Sequence, residues 1–508
     1  MSDDDVAHLL RSDETLVIIE APAGCGKTFQ GASYAKDVAA TLERGRLLVL
    51  AHTHAACGEF RKRTQGASNR VEVKTVASLA TEIVSVYHKA LDVPPHAETW
   101  AWKDNGEGFN EIAQKCADLL TRHPMIGRAL VCRYPVVICD EHQDCTPHQH
   151  AILMALHRGG AKLRIFGDPL QRIFSGTSPK VARVDAERWE SLKAEGKHAT
   201  LEVPHRWKQG GSLELGEWIL QARAALLNNQ PVVVPAKRPA GLQVIVADNR
   251  GQARKQFALD AAHRKTVDAV MLRDEMLVLT SSNILVDALS AYTNRRIGIW
   301  EGHTREMLGI LVEALQAANG NAEAVASALV AFVSGVGTGF SMSSHGNRLL
   351  QEIKEGCCKT TKGKPACIQE MAKLILAEPS HVGAARALKL LGGYIANKIA
   401  GFDAIKIDYR SEFGDALRLE SFATPEDGLS ELARRRAHFW RALPPRVVST
   451  IHKAKGLECP HAMLIPCDKS FADTAYGRCR LYVALSRASN SLTLVVPSFG
   501  GSPLLKLE

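Results

Sequence analysis

The sequence predicts an α/β protein built on two parallel sheets. Three observations carry this. Short apolar runs at residues 16–20, 47–50, 136–139 and 163–166 alternate with helical segments as far as about residue 200. A second set of runs stands at 242–246, 276–279, 447–450, 462–466 and 491–496. Brief buried strands separated by helices make a parallel sheet covered on both faces. The third observation is a small-residue turn placed directly after the first run.

That turn reads Ala21-Pro22-Ala23-Gly24-Cys25-Gly26-Lys27-Thr28 and follows Leu16-Val17-Ile18-Ile19-Glu20. An apolar strand, a turn and a closing Lys-Thr are the layout of a P-loop. Small residues let successive backbone N–H groups converge on phosphate oxygens. The helix that follows adds its positive N-terminal end. Ala23, Gly24, Cys25 and Gly26 are therefore candidate phosphate-binding residues. Lys27 supplies a point charge and Thr28 a hydroxyl suited to Mg²⁺. Ala21 stands where the first glycine is usual. Cys25 is first a small residue in the place of Ser. As a second expectation, the anion-favouring loop lowers its thiol pKa.

The chain has 508 residues, which at roughly 100–200 per domain suggests about three or four units. Apolar residues make up 46% and charged residues 23%, the balance of a globular chain rather than a disordered one. Lys and Arg number 63 against 54 Asp and Glu, a formal charge of +9 that permits a polyanionic partner. The opening Met-Ser-Asp-Asp-Asp is acidic and has no apolar signal region. No run is long and apolar enough to span a bilayer. A cytoplasmic location with reduced thiols is expected, and no membrane partner. The twelve cysteines have no paired Cys-x-x-Cys elements, so Cys357, Cys358 and Cys367, with His345 upstream, are expected to be free of metal.

A second nucleotide signature is Val136-Val137-Ile138-Cys139-Asp140-Glu141-His142-Gln143-Asp144. An apolar strand delivers two acids at its C-terminal end, where ligands bind in open α/β sheets. Asp140 is placed to hold Mg²⁺ and Glu141 to accept a proton from attacking water. The third element is Ile165-Phe166-Gly167-Asp168-Pro169-Leu170-Gln171. The neutral amide of Gln171 suits contact with a γ-phosphate or its attacking water.

Together these elements resemble the core of superfamily 1 helicases of the UvrD/Rep branch, and further motifs follow in order. Ser449-Thr450-Ile451-His452-Lys453-Ala454-Lys455-Gly456-Leu457-Glu458 resembles motif V. Leu481-Tyr482-Val483-Ala484-Leu485-Ser486-Arg487-Ala488 resembles motif VI. Residues 51–56 resemble motif Ia, and His205-Arg206-Trp207 stands where the family carries its motif IV arginine. The resemblance implies two RecA-like P-loop domains with two mainly helical accessory insertions. By this reading residues 1–85 and 133–200 form the first core and 86–132 a small insertion. Residues 201–300 and 446–508 form the second core and 301–445 a helical insertion. The stretch 354–365, rich in Lys, Gly and Thr, reads as an exposed linker.

The resemblance also implies roles. Lys27 and Thr28 hold phosphate and Mg²⁺, with Asp140 as metal partner and Glu141 as catalytic base. Gln171 couples the γ-phosphate to motion. Arg206 and Arg487 act as arginine fingers from the second core, and Glu458 contacts the ribose. Thr53, Thr75, His452 and Lys453 lie in motifs that touch nucleic acid. Hydroxyl and cationic side chains suit phosphate contact and carry little sequence information. Phe174, Trp207 and one of Trp100 or Trp102 are candidate base-stacking platforms, each stacked base being worth roughly 1–3 kcal/mol. For the Trp100–Trp102 pair, core packing is the favoured reading.

The chain departs from the family pattern at several places. No Leu-Asn-x-x-Gln segment precedes the P-loop, and His205 replaces the usual adenine-stacking Tyr. Ser175-Gly176-Thr177 stands in place of a Trp-Arg-Gly continuation, and Val76-Ala77 in place of Phe-His. The implied activity is ATP- and Mg²⁺-dependent translocation on single-stranded or tailed duplex DNA, 3′ to 5′, with strand separation. No nuclease domain is expected after motif VI. Short UvrD-like chains of this form are similar to the helicase subunits of Gabija-type phage-defence systems, which implies a partner nuclease. A second reading is a nucleotide-gated DNA sensor or regulatory subunit without processive unwinding.

Overall fold

The computed structural model describes residues 2–67, 69–95, 97, 101, 108–174, 178–251, 256–301, 305–438 and 443–508. Trp100, Trp102 and the segment 175–177 lie outside the described residues. The chain divides into two compact units, with described residues 2–101, 108–300 and 443–508 in the first and 301–438 in the second.

The first unit holds two six-stranded sheets. In one, the strands are β1 (Leu16–Glu20), β2 (Leu47–Ala51), β3 (Val71–Thr75), β4 (Val136–Cys139), β5 (Lys162–Gly167) and β6 (Lys197–Thr200), in the order β3-β2-β4-β5-β1-β6. Every pairing is parallel. β2 and β4 are buried along their whole length, as expected for strands covered on both faces. The helix Gly108–Arg122 contributes Ile112, Leu119 and Leu120 to the core on one face of this sheet. The helix Lys27–Thr41 contributes Ala32, Tyr34 and Ala35 on the other.

The second sheet follows the short strand β7 (Val232–Val234). It contains β8 (Leu242–Val246), β9 (Met276–Thr280), β10 (Gly298–Ile299), β13 (Arg446–Thr450), β14 (Cys459–Leu464) and β15 (Ala488–Val496), in the order β10-β13-β9-β14-β15-β8. Its pairings are also all parallel. The closing strand β16 (Leu505–Leu507) pairs with β7 outside this sheet. Two parallel sheets with covering helices are the predicted fold class, that of two RecA-like domains.

The second unit is mainly helical. The helices Glu306–Ala318, Ala322–Val336, Lys364–Ala377 and His381–Ala396 enclose a core of Leu311, Leu329, Phe332, Ile375 and Leu388. Its only strands among the described residues are the two-residue pair β11 (Gly337–Thr338) and β12 (Lys406–Ile407). The helix Asn347–Lys354 ends on the first residue of the predicted linker, and the next helix starts at Lys364, one residue before the linker's predicted end.

One buried cation fixes the entry to β1. Arg164 on β5 is fully buried, and its guanidinium donates to the carbonyls of Leu10 and Glu14 at 2.8 Å and of Ser12 at 3.0 Å. The chain that leads into the P-loop strand is thereby tied to the strand beside it. Arg164→Met leaves those carbonyls unpaired, and the expected loss of stability is about 3 kcal/mol. A urea titration of the variant checks this through its midpoint.

Candidate nucleotide and nucleic-acid site

Strand order explains how distant motifs converge. β5 lies between β1 and β4, so the P-loop, Asp168 and the Asp140–Glu141 pair leave adjacent strands at one edge of the sheet. Thr53 follows β2 and Thr75 ends β3, which carries the same edge onward. This is the carboxyl edge at which ligands bind in open α/β sheets.

Within the P-loop, Gly24 and Gly26 adopt left-handed backbone with φ of 72° and 84°. Other residues take such angles only at a steric cost. Space matters as much at Gly24, where a Cβ would stand 2.8 Å from the Arg206 Cβ and 2.9 Å from Trp207. The Arg206 N–H donates to the Gly24 carbonyl at 3.0 Å. The Ala23 N–H donates to the Tyr482 hydroxyl at 2.9 Å. Both partners belong to segments packed on the second sheet, since the Trp207 indole donates to the Ala488 carbonyl at the start of β15. The two cores therefore meet at the P-loop.

Lys27 is held by an ion pair with Glu141, and its Nζ lies 3.2 Å from Asp140 Oδ1. Burial alone would lower the lysine pKa, but Asp140 and Glu141 together hold it above the usual range. Glu141 is driven the other way. Burial raises its pKa, but Lys27, Lys455 and Gln143 outweigh this and bring it to about 2. Asp140 stays raised by burial, which Lys27 only partly offsets. Glu141 has φ of 54°, a left-handed angle costly for a side chain of its size. Gln143 stabilises this turn. Its amide donates to Glu141 Oε2, and its carbonyl accepts the Asp168 N–H at 3.0 Å.

The residues present suit Mg²⁺. Asp140 Oδ1 is buried beside the P-loop with the Lys27 ammonium 3.2 Å away, a carboxylate oxygen that a cation would share with or take from the lysine. Thr28, in the first turn of the helix Lys27–Thr41, is the hydroxyl of the predicted pair. Hard oxygen donors at a polyphosphate site are the chemistry that ion requires.

The second core brings its arginines to the same place in unlike states. Arg206 pairs with Glu458 and donates to the Ser486 carbonyl at 2.5 Å. Arg487 is 2% exposed and donates to the Val483 and Leu457 carbonyls and to the Ser486 hydroxyl. Burial lowers its pKa to about 10, Arg206 adds to this, and Glu458, Tyr482 and Glu141 oppose it. Gln171 is buried and its amide donates to Asp168 Oδ2 at 3.0 Å. Asp168 is itself clamped by Arg223, which also reaches Glu20 at 2.6 Å.

Of the predicted nucleic-acid residues, Phe174 and His452 meet across the two cores. Their rings stand edge-on with centroids 4.8 Å apart, and Phe174 is 47% exposed. Lys453 is half-buried beside them in sequence, its N–H donating to the Thr450 hydroxyl at 3.3 Å. Thr53 is exposed and caps the helix His54–Arg63 through the Ala56 N–H. Thr75 is buried and caps the helix Val76–Val86 through the Ser78 N–H.

Two expectations are corrected. Trp207 is fully buried with its indole N–H bonded, so it is core and offers no face to a base. Cys25 is buried as well, and burial with the nearby Asp168 pushes its thiol up to about 12. The loop does favour anions, but desolvation of the thiolate is the larger effect. Sequence reasoning also passed over Gln143, Tyr482, Arg223 and Lys455. Gln143 carried a signal, lying two residues past Glu141 on the same turn. Tyr482 lay inside the segment that resembles motif VI but was given no role, and Arg223 carried no signal, since it sits within an ordinary helix.

Two parallel sheets, a P-loop between a strand and a helix, and acids at the tip of the strand two places along the sheet define a nucleotide-binding protein of the RecA-like class. A family model described as an AAA domain matches residues 6–177, and one described as the UvrD-like helicase C-terminal domain matches residues 446–495. The two matches support a superfamily 1 helicase of the UvrD/Rep type. Comparison with curated proteins finds no significant match. Among the described residues, no helix is long and apolar enough to cross a membrane.

Iodoacetamide at pH 8 is expected to spare Cys25 in the folded protein and to label the exposed Cys132 and Cys358. Peptide mass spectrometry reads the difference, and rapid labelling of Cys25 refutes the burial argument.

Proposed function

We propose that this protein is a Mg²⁺-dependent ATPase that moves along single-stranded DNA in the 3′-to-5′ direction and separates strands ahead of it. The observation that carries the reading is the joint at the P-loop. The Arg206 N–H and the Tyr482 hydroxyl of the second core bond to Gly24 and Ala23 of the same loop that carries Lys27 to Glu141 in the first. A triphosphate cradled by residues 23–28 takes the place of the carboxylates that now hold Lys27. Glu141 is ionised and so competent to accept a proton from water. Arg206 and Arg487 spread the charge of the transferring phosphoryl group, and Glu458 releases Arg206 to contact the ribose. Mg²⁺, held by Thr28 and Asp140, supplies charge neutralisation at the phosphate oxygens. Gln171 moves from Asp168 toward the phosphate end.

Strand contact fits the other end of the cleft. Phe174 and His452 offer an aromatic step on which bases stack without sequence preference, and Lys453, Thr53 and Thr75 are suited to phosphates. With grips on both cores, opening and closing of the cleft ratchets the strand.

One observation favours a second reading, a nucleotide-gated sensor. Arg487 spends its donors within the second core, on Val483, Ser486 and Leu457, so hydrolysis waits on its release. A forked duplex with a 3′ tail separates the two readings. Strand separation supports the motor, and DNA-stimulated hydrolysis without separation supports the sensor. The similarity to defence-type subunits extends either reading to a partner nuclease, which co-purification from native neighbours tests.

Glu141→Gln is expected to lower kcat by about 10²–10⁴-fold with ATP binding retained. Arg487→Ala is expected to lower kcat by about 10³-fold or more. Steady-state ATPase assays with an oligonucleotide check both. Near-normal turnover in either variant overturns the site assignment.

A further inference from the structure

One buried cation joins the two cores outside the residues assigned above. Lys455 stands on the loop that follows β13. Its side chain is 7% exposed and that of its partner Asp144 is 5% exposed. Nζ lies 2.7 Å from Asp144 Oδ1 and 2.5 Å from Oδ2, and donates to the Gln171 carbonyl at 2.5 Å. It also sits 4.7 Å from the centroid of the Phe174 ring, whose edge-on neighbour is His452. A single ammonium group thus touches the turn after Glu141, the backbone of Gln171 and the exposed aromatic pair.

Position gives this contact its meaning. The short 3₁₀ turn His142–Asp144 begins directly after Glu141, so a shift of Glu141 reaches Asp144 through one turn of backbone. Asp144 and Lys455 are buried together, and separating them leaves uncompensated charge away from water. Such a contact transmits displacement rather than absorbing it. Phe174 lies against the same ammonium group and against His452, on the loop that carries Lys455.

We propose that Lys455 is the positioning residue that couples nucleotide state to strand grip, by carrying Phe174 and His452 with the Asp144 turn. The inference rests on the motor reading above. When Glu141 gives up Lys27 to a bound triphosphate, the turn bearing Asp144 shifts. Lys455 moves with it, and the aromatic step changes its hold on the strand. Lys455 does this without touching either ligand.

The test measures anisotropy of a fluorescent oligo-dT, first without nucleotide and then with a non-hydrolysable ATP analogue and Mg²⁺. In the unmodified protein the two affinities are expected to differ at least tenfold. In Lys455→Met both remain measurable, and their ratio falls below twofold. A purely structural role would weaken both affinities together and leave the ratio intact. Should Lys455→Met fail to fold in a thermal melt, the double variant Lys455→Met/Asp144→Asn, which leaves no lone buried charge, is measured instead with the same expectation. A ratio kept at its unmodified value in the folded variant overturns the proposal, as does a ratio near one in the unmodified protein. Failure of the unmodified protein to bind either ligand sinks the motor reading itself, a result separable from the other two.

Discussion

Gly24 has no side chain, and the second core comes close enough to occupy the space where one would be. The consequences run through the first unit. The P-loop becomes a joint as well as a phosphate cradle, with Arg206 bonded to the Gly24 carbonyl and Tyr482 to the Ala23 amide. The loop proposed to hold phosphate is also the loop that meets the other core. Any ligand that moves these few residues alters the fit between two sheets whose packing is too dense to deform gradually.

Around this joint the protein buries more charge than a stability argument alone would favour. Lys27 with Glu141, Lys455 with Asp144, and Arg223 with Asp168 and Glu20 all sit in or beside the cleft. Buried pairs of this kind roughly break even against apolar packing, and breaking one is costly. Their value lies in discreteness. Each contact is either made or lost, so the cleft has defined states rather than a continuum. Glu141 adds a strained backbone angle at the turn where the first of these pairs must exchange.

Charge also decides which groups are ready to react. Glu141 is kept ionised by Lys27 despite burial, whereas burial prevails at Cys25 and lifts its thiol out of the reactive range. Cys25 is in the P-loop, and Glu141, on the turn after β4, pairs with the lysine that closes that loop. The difference is direct ion pairing, which the carboxylate has and the thiol lacks.

By itself the sequence determined the local pieces. Apolar runs gave strands, since burial on both faces of a parallel sheet requires continuous hydrophobicity. The P-loop and Asp140–Glu141 were legible because each needs a fixed residue type at a fixed spacing from a strand end, whereas Arg487 was singled out only by the resemblance of its segment to motif VI. The family matches cover those segments and leave the helical unit between them untouched. The tertiary structure decided everything that depends on two distant segments meeting. That Trp207 is core and not a stacking platform follows from the seat it takes against Gly24. That Lys455 finds Asp144, and Tyr482 finds Ala23, follows from how one sheet docks on the other. Separations of more than 300 residues leave no trace in local pattern, because spacing along the chain encodes periodicity and turns, while burial and pairing are set by whatever the fold brings alongside.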